Sequence, residues 1–342
     1  MPFHRRIRAY SGYPALLPAL LTVLACLLLG GRLFGQMPPA RIDEALAAVF
    51  GEAGREASYS ERLQLIHSLP SDLDGGRLER CRRFLESPTE LQALPCLEFN
   101  GLKNDMVLAL LRQKEGLPEL AGLLVRMSRD PWTDDVWRDY CVQFLGKCYP
   151  AAADMDSRRS MAAALWEALE TRRASSCAGA AGRQLMSLSR SFREFPPGDV
   201  SRAALEALRA PECSDGSRCA LLQVCAVLGD AAALPDARAL ASSEGTPSGV
   251  RASAIAAVGM LGDASDLPLL ERLAAGADSL AIPARAAIAR LRAEADAPPV
   301  KNTRASPRNP RPAVIVVHRL PIISTAKRSD RKMTGYSTAS AP

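Results

Sequence analysis

Chemistry that needs an imidazole has little to work with, because the chain holds three histidines. His4 lies near the N-terminus and His318 near the C-terminus, which leaves His67 in the body. A Ser-His-Asp or Cys-His relay would have to run through it. His67 falls at the end of an amphipathic pattern and reads as a surface residue. The nine cysteines show no CxxC spacing, so a zinc site or dithiol redox centre is not indicated. No Gly-rich phosphate loop follows a strand. A third cluster is more informative. Trp132 and Trp137 stand among Asp130, Asp134 and Asp135. Tryptophan concentrates binding energy at interfaces, so the two rings are candidate partner-binding anchors. The alternative is structural: carboxylates capping a helix N-terminus over rings that fill a core. An EF-hand spacing is lacking, so calcium is not implied. Taken together the residues predict a non-catalytic protein with no cofactor and no metal.

The elements that would position these residues are written in a 33-residue echo. Arg218, Leu228-Gly229-Asp230-Ala231, Leu234-Pro235 and Leu240-Ala241 recur as Arg251, Leu261-Gly262-Asp263-Ala264, Leu267-Pro268 and Leu273-Ala274. A fixed period of this size marks a solenoid. Ala254, Ile255, Val258 and Leu261 make one helical stripe, and Leu267, Leu270 and Leu273 make the next. Gly262 suits a left-handed C-cap between them, with Ser265 or Asp266 capping the second helix and Pro268 in its first turn. Neither helix can bury its face alone, so the units must stack. Weaker units upstream place helices at 41–50, 59–68, 77–86, 102–114, from 117, 134–147, 156–172, 178–192 and 199–209. A last helix at 283–293 reads as a cap. The expectation is all-α: an α-solenoid, or superhelix, of about six helix pairs. A hydrophobic content of 48% with 5% aromatics agrees, since small residues let helix backbones approach closely.

The run Val250-Arg251-x-x-Ala254-x-x-x-Val258-Gly259-x-Leu261-Gly262-Asp263 resembles the HEAT-like repeat named after phycobilisome lyases. The resemblance implies that Arg218, Arg251, Asp230 and Asp263 form a structural polar ladder between repeats, and that small Ala residues let first helices touch. Deoxyhypusine hydroxylases share the repeat type but hold iron through His-Glu motifs. Here the three histidines are followed by Arg, Ser and Arg. Nothing beyond the repeat supports pigment-lyase chemistry.

Charge divides the chain. The net +6 resolves into +4 over residues 1–36, +8 over 297–342 and −6 over the body between. An acidic body argues against a nucleic-acid surface. Residues 1–36 read as a signal anchor or signal peptide. Arg5, Arg6 and Arg8 precede an uncharged stretch from Pro14 to Gly31, about 27 Å as a helix and enough to span a bilayer core. The positive flank directs the rest of the chain outward. Retention as an anchor, cleavage near Gly35 or Ala40, and lipidation at Cys26 all remain open. The last rests on Val23-Leu24-Ala25-Cys26, which resembles a bacterial lipoprotein box. Export would favour disulfides among the other eight cysteines, and Cys81 with Cys96, Cys213 with Cys219, and Cys148 with Cys177 are the expected pairs. Residues 37–296 are the repeat domain, most regular over 217–293. The Pro- and Arg-rich stretch 297–342 reads as a disordered basic tail.

The expected function is a protein–protein interaction scaffold in a bacterial cell envelope, its body facing the periplasm or exterior, taking a protein or peptide on its concave face. The rival is an accessory or lyase-like maturation factor that holds a client for an enzyme.

Overall fold

The computed structural model describes residues 39–52, 57–88, 94–113, 116–276 and 279–295. The expected membrane segment at 1–36, with Cys26, and the expected tail at 297–342 lie outside these residues. Among the described residues the regular elements are helices and no strand occurs, so the fold is all-α. None of these helices is long and apolar enough to cross a membrane.

Fourteen α-helices follow one another: α1 Pro39–Phe50, α2 Tyr59–His67, α3 Gly75–Glu86, α4 Cys96–Leu110, α5 Leu117–Arg129, α6 Asp135–Cys148, α7 Met155–Thr171, α8 Cys177–Leu188, α9 Pro197–Arg209, α10 Asp215–Leu228, α11 Leu234–Ser242, α12 Ser248–Leu261, α13 Leu267–Ala275 and α14 Ala281–Ala295. Their starts are chemically marked. Ser58 and Glu61 form a capping box on α2, and Asp74, Asp134, Asp154 and Ser214 each accept from a first-turn amide. α9, α11 and α13 carry proline in the first turn, where its missing N–H costs nothing. Gly229 ends α10 in the left-handed region at φ 73°. Gly262 does not repeat this, contrary to expectation: it is extended, at φ −81° and ψ −174°. The carboxylate of Asp266 presses against the place where a side chain would begin, so bulk rather than φ selects glycine there.

Even-numbered helices touch in succession from α2 to α14, and odd-numbered ones do so from α1 to α9. Each odd helix packs most closely on the even helix that follows it. The tight hairpins are therefore α1 with α2 through α13 with α14, which shifts the phase read from the echo. A period fixes the repeat length but leaves open where a unit begins. The helix expected at 283–293 is α14, which packs on both α12 and α13. α4 also starts six residues earlier than expected, directly after Pro95.

Small residues line the contacts between successive even helices. A Cβ on Gly259 of α12 would stand 2.5 Å from the Ala287 Cβ and 2.7 Å from its Cα on α14. One on Gly179 of α8 would stand 2.9 Å from Ser217 Cα on α10. The buried Ser217 Oγ uses that proximity, accepting from Gly179 N at 2.9 Å and donating to Ser175 O at 2.7 Å. Nearer the N-terminus, rings on α1, α3 and α4 add bulk to the core. Phe50, Phe84 and Phe99 form a chain with centroids 5.1 and 5.2 Å apart. Polar ties also link separate segments: Tyr149 Oη, just past α6, donates to Glu194 in the loop before α9 at 2.7 Å, and Arg292 of α14 to Glu271 of α13 at 2.8 Å.

Candidate functional site

The loop from Asp130 to Asp134 joins α5 to α6 and is held at nearly every residue. Asp130 Oδ1 accepts from Trp132 N at 3.0 Å, and its Oδ2 accepts from Thr133 Oγ1 at 2.9 Å. Arg138 donates to Thr133 O at 2.7 Å and to Asp135 Oδ1 at 2.8 Å. Asp134 Oδ1 caps α6 through Val136 N and Trp137 N at 2.9 and 3.0 Å. The same oxygen takes a 2.6 Å bond from Asn100 Nδ2, which ties α6 to α4. Arg172, just past the end of α7, donates to Arg129 O at 2.6 Å. Of the three aspartates, Asp134 caps the helix as the structural reading of the cluster expects, while Asp130 braces the loop and Asp135 pairs with Arg138.

From this pinned loop Trp132 stands 90% exposed. Leu97, one turn below Asn100 on α4, and Val136 in the first turn of α6 are exposed as well. Because Asn100 and Asp134 are bonded, these three apolar side chains share one end of the α4–α6 contact. Single exposed apolar residues are ordinary, but a fully exposed indole on an ordered loop is not.

Trp137 corrects the expectation of a second anchor. It is 0% exposed, and its Nε1 has no hydrogen-bond partner. Counting α6 from Asp135 turns position 137 inward, against α4. Beneath it lies Lys103, 1% exposed, a residue that sequence reasoning passed over. Its Nζ donates to Ser87 O at 2.6 Å and sits 5.1 Å from the Phe99 ring and 5.3 Å from the Trp137 ring. A buried ammonium needs such compensation. The one signal was a lone cation at 103 in the apolar pattern of 99–110.

The expected ladder takes a different form. Arg218 and Arg251 donate to Pro211 O and Ala241 O, carbonyls at or just beyond the ends of α9 and α11, at 3.4 and 3.3 Å. Asp230 and Asp263 are local caps on Ala232 N and Ser265 N. Ion pairing between the units falls instead to Arg209 with Asp236, and to Arg238 with Asp266 at 2.6 and 2.9 Å. Asp266 is 4% exposed and also accepts from Asp263 N at 3.1 Å, so this carboxylate is the buried acceptor.

None of the expected disulfides is present: Cys81, Cys96, Cys148, Cys177, Cys213 and Cys219 are free, as are Cys141 and Cys225. Most of these sulfurs occupy small apolar core positions, a common setting for cysteine. Burial pushes the Cys81 and Cys225 thiols up to about 12 and that of Cys148 to about 11. Cys96 is the exposed one, next to Leu97.

Two other polar features are accounted for by packing. His67 Nε2 lies 2.7 Å from Asp105 Oδ1, which tethers α2 to α4. A cleft of about 280 Å³ is lined by Phe50, Glu52, Arg80, Arg83, Phe84 and Ser87. Arg80 crosses it over the Phe50 ring and bonds Glu52 at 2.9 Å, and α1 and α3 both end there. Its arginines answer helix C-termini and a carboxylate already in place.

No family model, curated protein or solved structure matches the chain. The resemblance to HEAT-like repeats therefore stands on the residues that carry it.

Proposed function

We propose that this chain is a HEAT-like α-solenoid serving as a protein–protein interaction scaffold in a bacterial cell envelope. Neighbour-only helix contacts and the 33-residue echo support the solenoid reading. The observation that carries the function is Trp132, an indole held out to solvent by a hydrogen-bonded loop. Ordering an anchor before binding lowers the entropic cost of association. The docking surface is accordingly placed at the α4–α6 end, with Trp132 at its centre, and not at Trp137. Export of the body rests on the basic and apolar character of residues 1–36.

The test is site-specific crosslinking in the native envelope. A photoreactive group on Cys96, beside the patch, should capture a defined partner from the wild-type chain and lose it with Trp132→Ala. Identical capture by both chains would remove the function from this surface. A fusion of residues 1–40 to a reporter that works only outside the cytoplasm checks the location independently.

A further inference from the structure

Accepting Trp132 as an anchor, we infer that its partner is a basic peptide segment, with an arginine or lysine beside an apolar residue. Charge around the indole is lopsided. Asp130, Asp134, Asp135 and Glu98 surround this end of α4 and α6. The nearby cations are already engaged within the chain. Arg138 keeps 10% of its side chain exposed and is tied to Thr133 O and Asp135. Arg129 pairs with Glu167 at 2.9 Å, and Arg172 bonds Arg129 O. Lys103 is buried beneath the rings. Asp135 gives one oxygen to Arg138, yet its side chain remains 74% exposed.

An incoming guanidinium thus meets an indole face and an accessible carboxylate. Indole is the ring that attracts cations most strongly. Leu97 and Val136 supply apolar contact next to that point. An acidic partner would bring carboxylates against these aspartates without a free cation to receive them.

A random dodecamer display library selected against the full chain, with counter-selection on Trp132→Ala, tests this directly. Trp132-dependent peptides should be net positive and contain an apolar residue. Exchanging the arginines of a selected peptide for citrulline should weaken binding about tenfold or more. Raising salt from about 0.05 to about 0.5 M should weaken it as well. Asp135→Asn should weaken it about threefold, the scale of one exposed ion pair. Selection of neutral or acidic peptides that still need Trp132 would overturn the basic-partner inference and leave the docking surface standing. Failure to select any Trp132-dependent peptide would sink both.

Discussion

From α8 to α14, glycine, alanine and serine bring successive even-numbered helices together, with Gly179 against Ser217 and Gly259 against Ala287. From α3 to α6 larger groups fill the core: Phe84 on α3, Phe99 and the buried Lys103 on α4, and Trp137 on α6. Close-approach packing tolerates little variation in volume. Packing around large rings leaves room for irregular loops, and one such loop carries Trp132. Regular packing and the exposed indole are thus separated along the chain. Both halves pair charges across helices, Arg77 with Asp43 in the first and Arg209 with Asp236 in the second, and the first in addition buries an ammonium between rings.

The comparison can be broken at its aromatic end first. Trp137→Ala should lower stability by about 3–5 kcal/mol in denaturant unfolding, the cost of emptying a large core site. Trp137→Phe should cost far less, because it also deletes a buried Nε1 without a partner. A small effect of the alanine variant would show that the rings are not structural. In the small-residue half, Gly259→Ala should cost about 2 kcal/mol through overpacking against the Ala287 backbone. Free tolerance of alanine at 259 would mean that these helices are not pressed together.

Two aspartates three residues apart along one turn should then separate. Asp266→Ala leaves a buried acceptor's partners unmet and should cost about 2 kcal/mol, while Asp263→Ala removes an exposed cap and should cost about 1 kcal/mol. Equal losses would restore the ladder reading of Asp263. The smallest thermodynamic effect belongs to Trp132→Ala, which should leave unfolding within about 0.5 kcal/mol of wild type while abolishing partner capture.

Alkaline pH provides a check on the cysteines. Thiols raised by burial keep their protons in the folded chain after the unfolded chain has begun to lose them. Their contribution is complete below about 9 and is lost as pH rises toward about 11–12. At neutral pH, a bulky thiol reagent should modify Cys96 first and the buried thiols only on unfolding. Eight reactive thiols from residues 39–295 are expected in unfolded, unreduced protein, and markedly fewer would reinstate disulfides.

The helices were readable because their stripes and caps are local, and local patterning survives degenerate repeats. Asp134 as a cap and the existence of α14 followed from spacing alone. The phase of the hairpins did not, since a period has no origin. The fate of the two tryptophans was also hidden. Position 132 lies in a loop, where periodicity assigns no face, and 137 lies at the start of a helix, where one residue of offset turns a side chain from solvent to core. Arg238 with Asp266 escaped notice because the echo drew attention to conserved-looking pairs at offset 33, while the bond spans 28 residues.

The ties between Arg292 and Glu271 and between Tyr149 and Glu194 span 21 and 45 residues. Together with the neighbour-only packing, they make contact order low for a chain of this length. A hairpin can settle as soon as its second helix is available, without waiting for the far end of the chain. Assembly can therefore proceed vectorially from the N-terminal side, and the loop bearing Trp132 can be in place before the regular repeats behind it have formed.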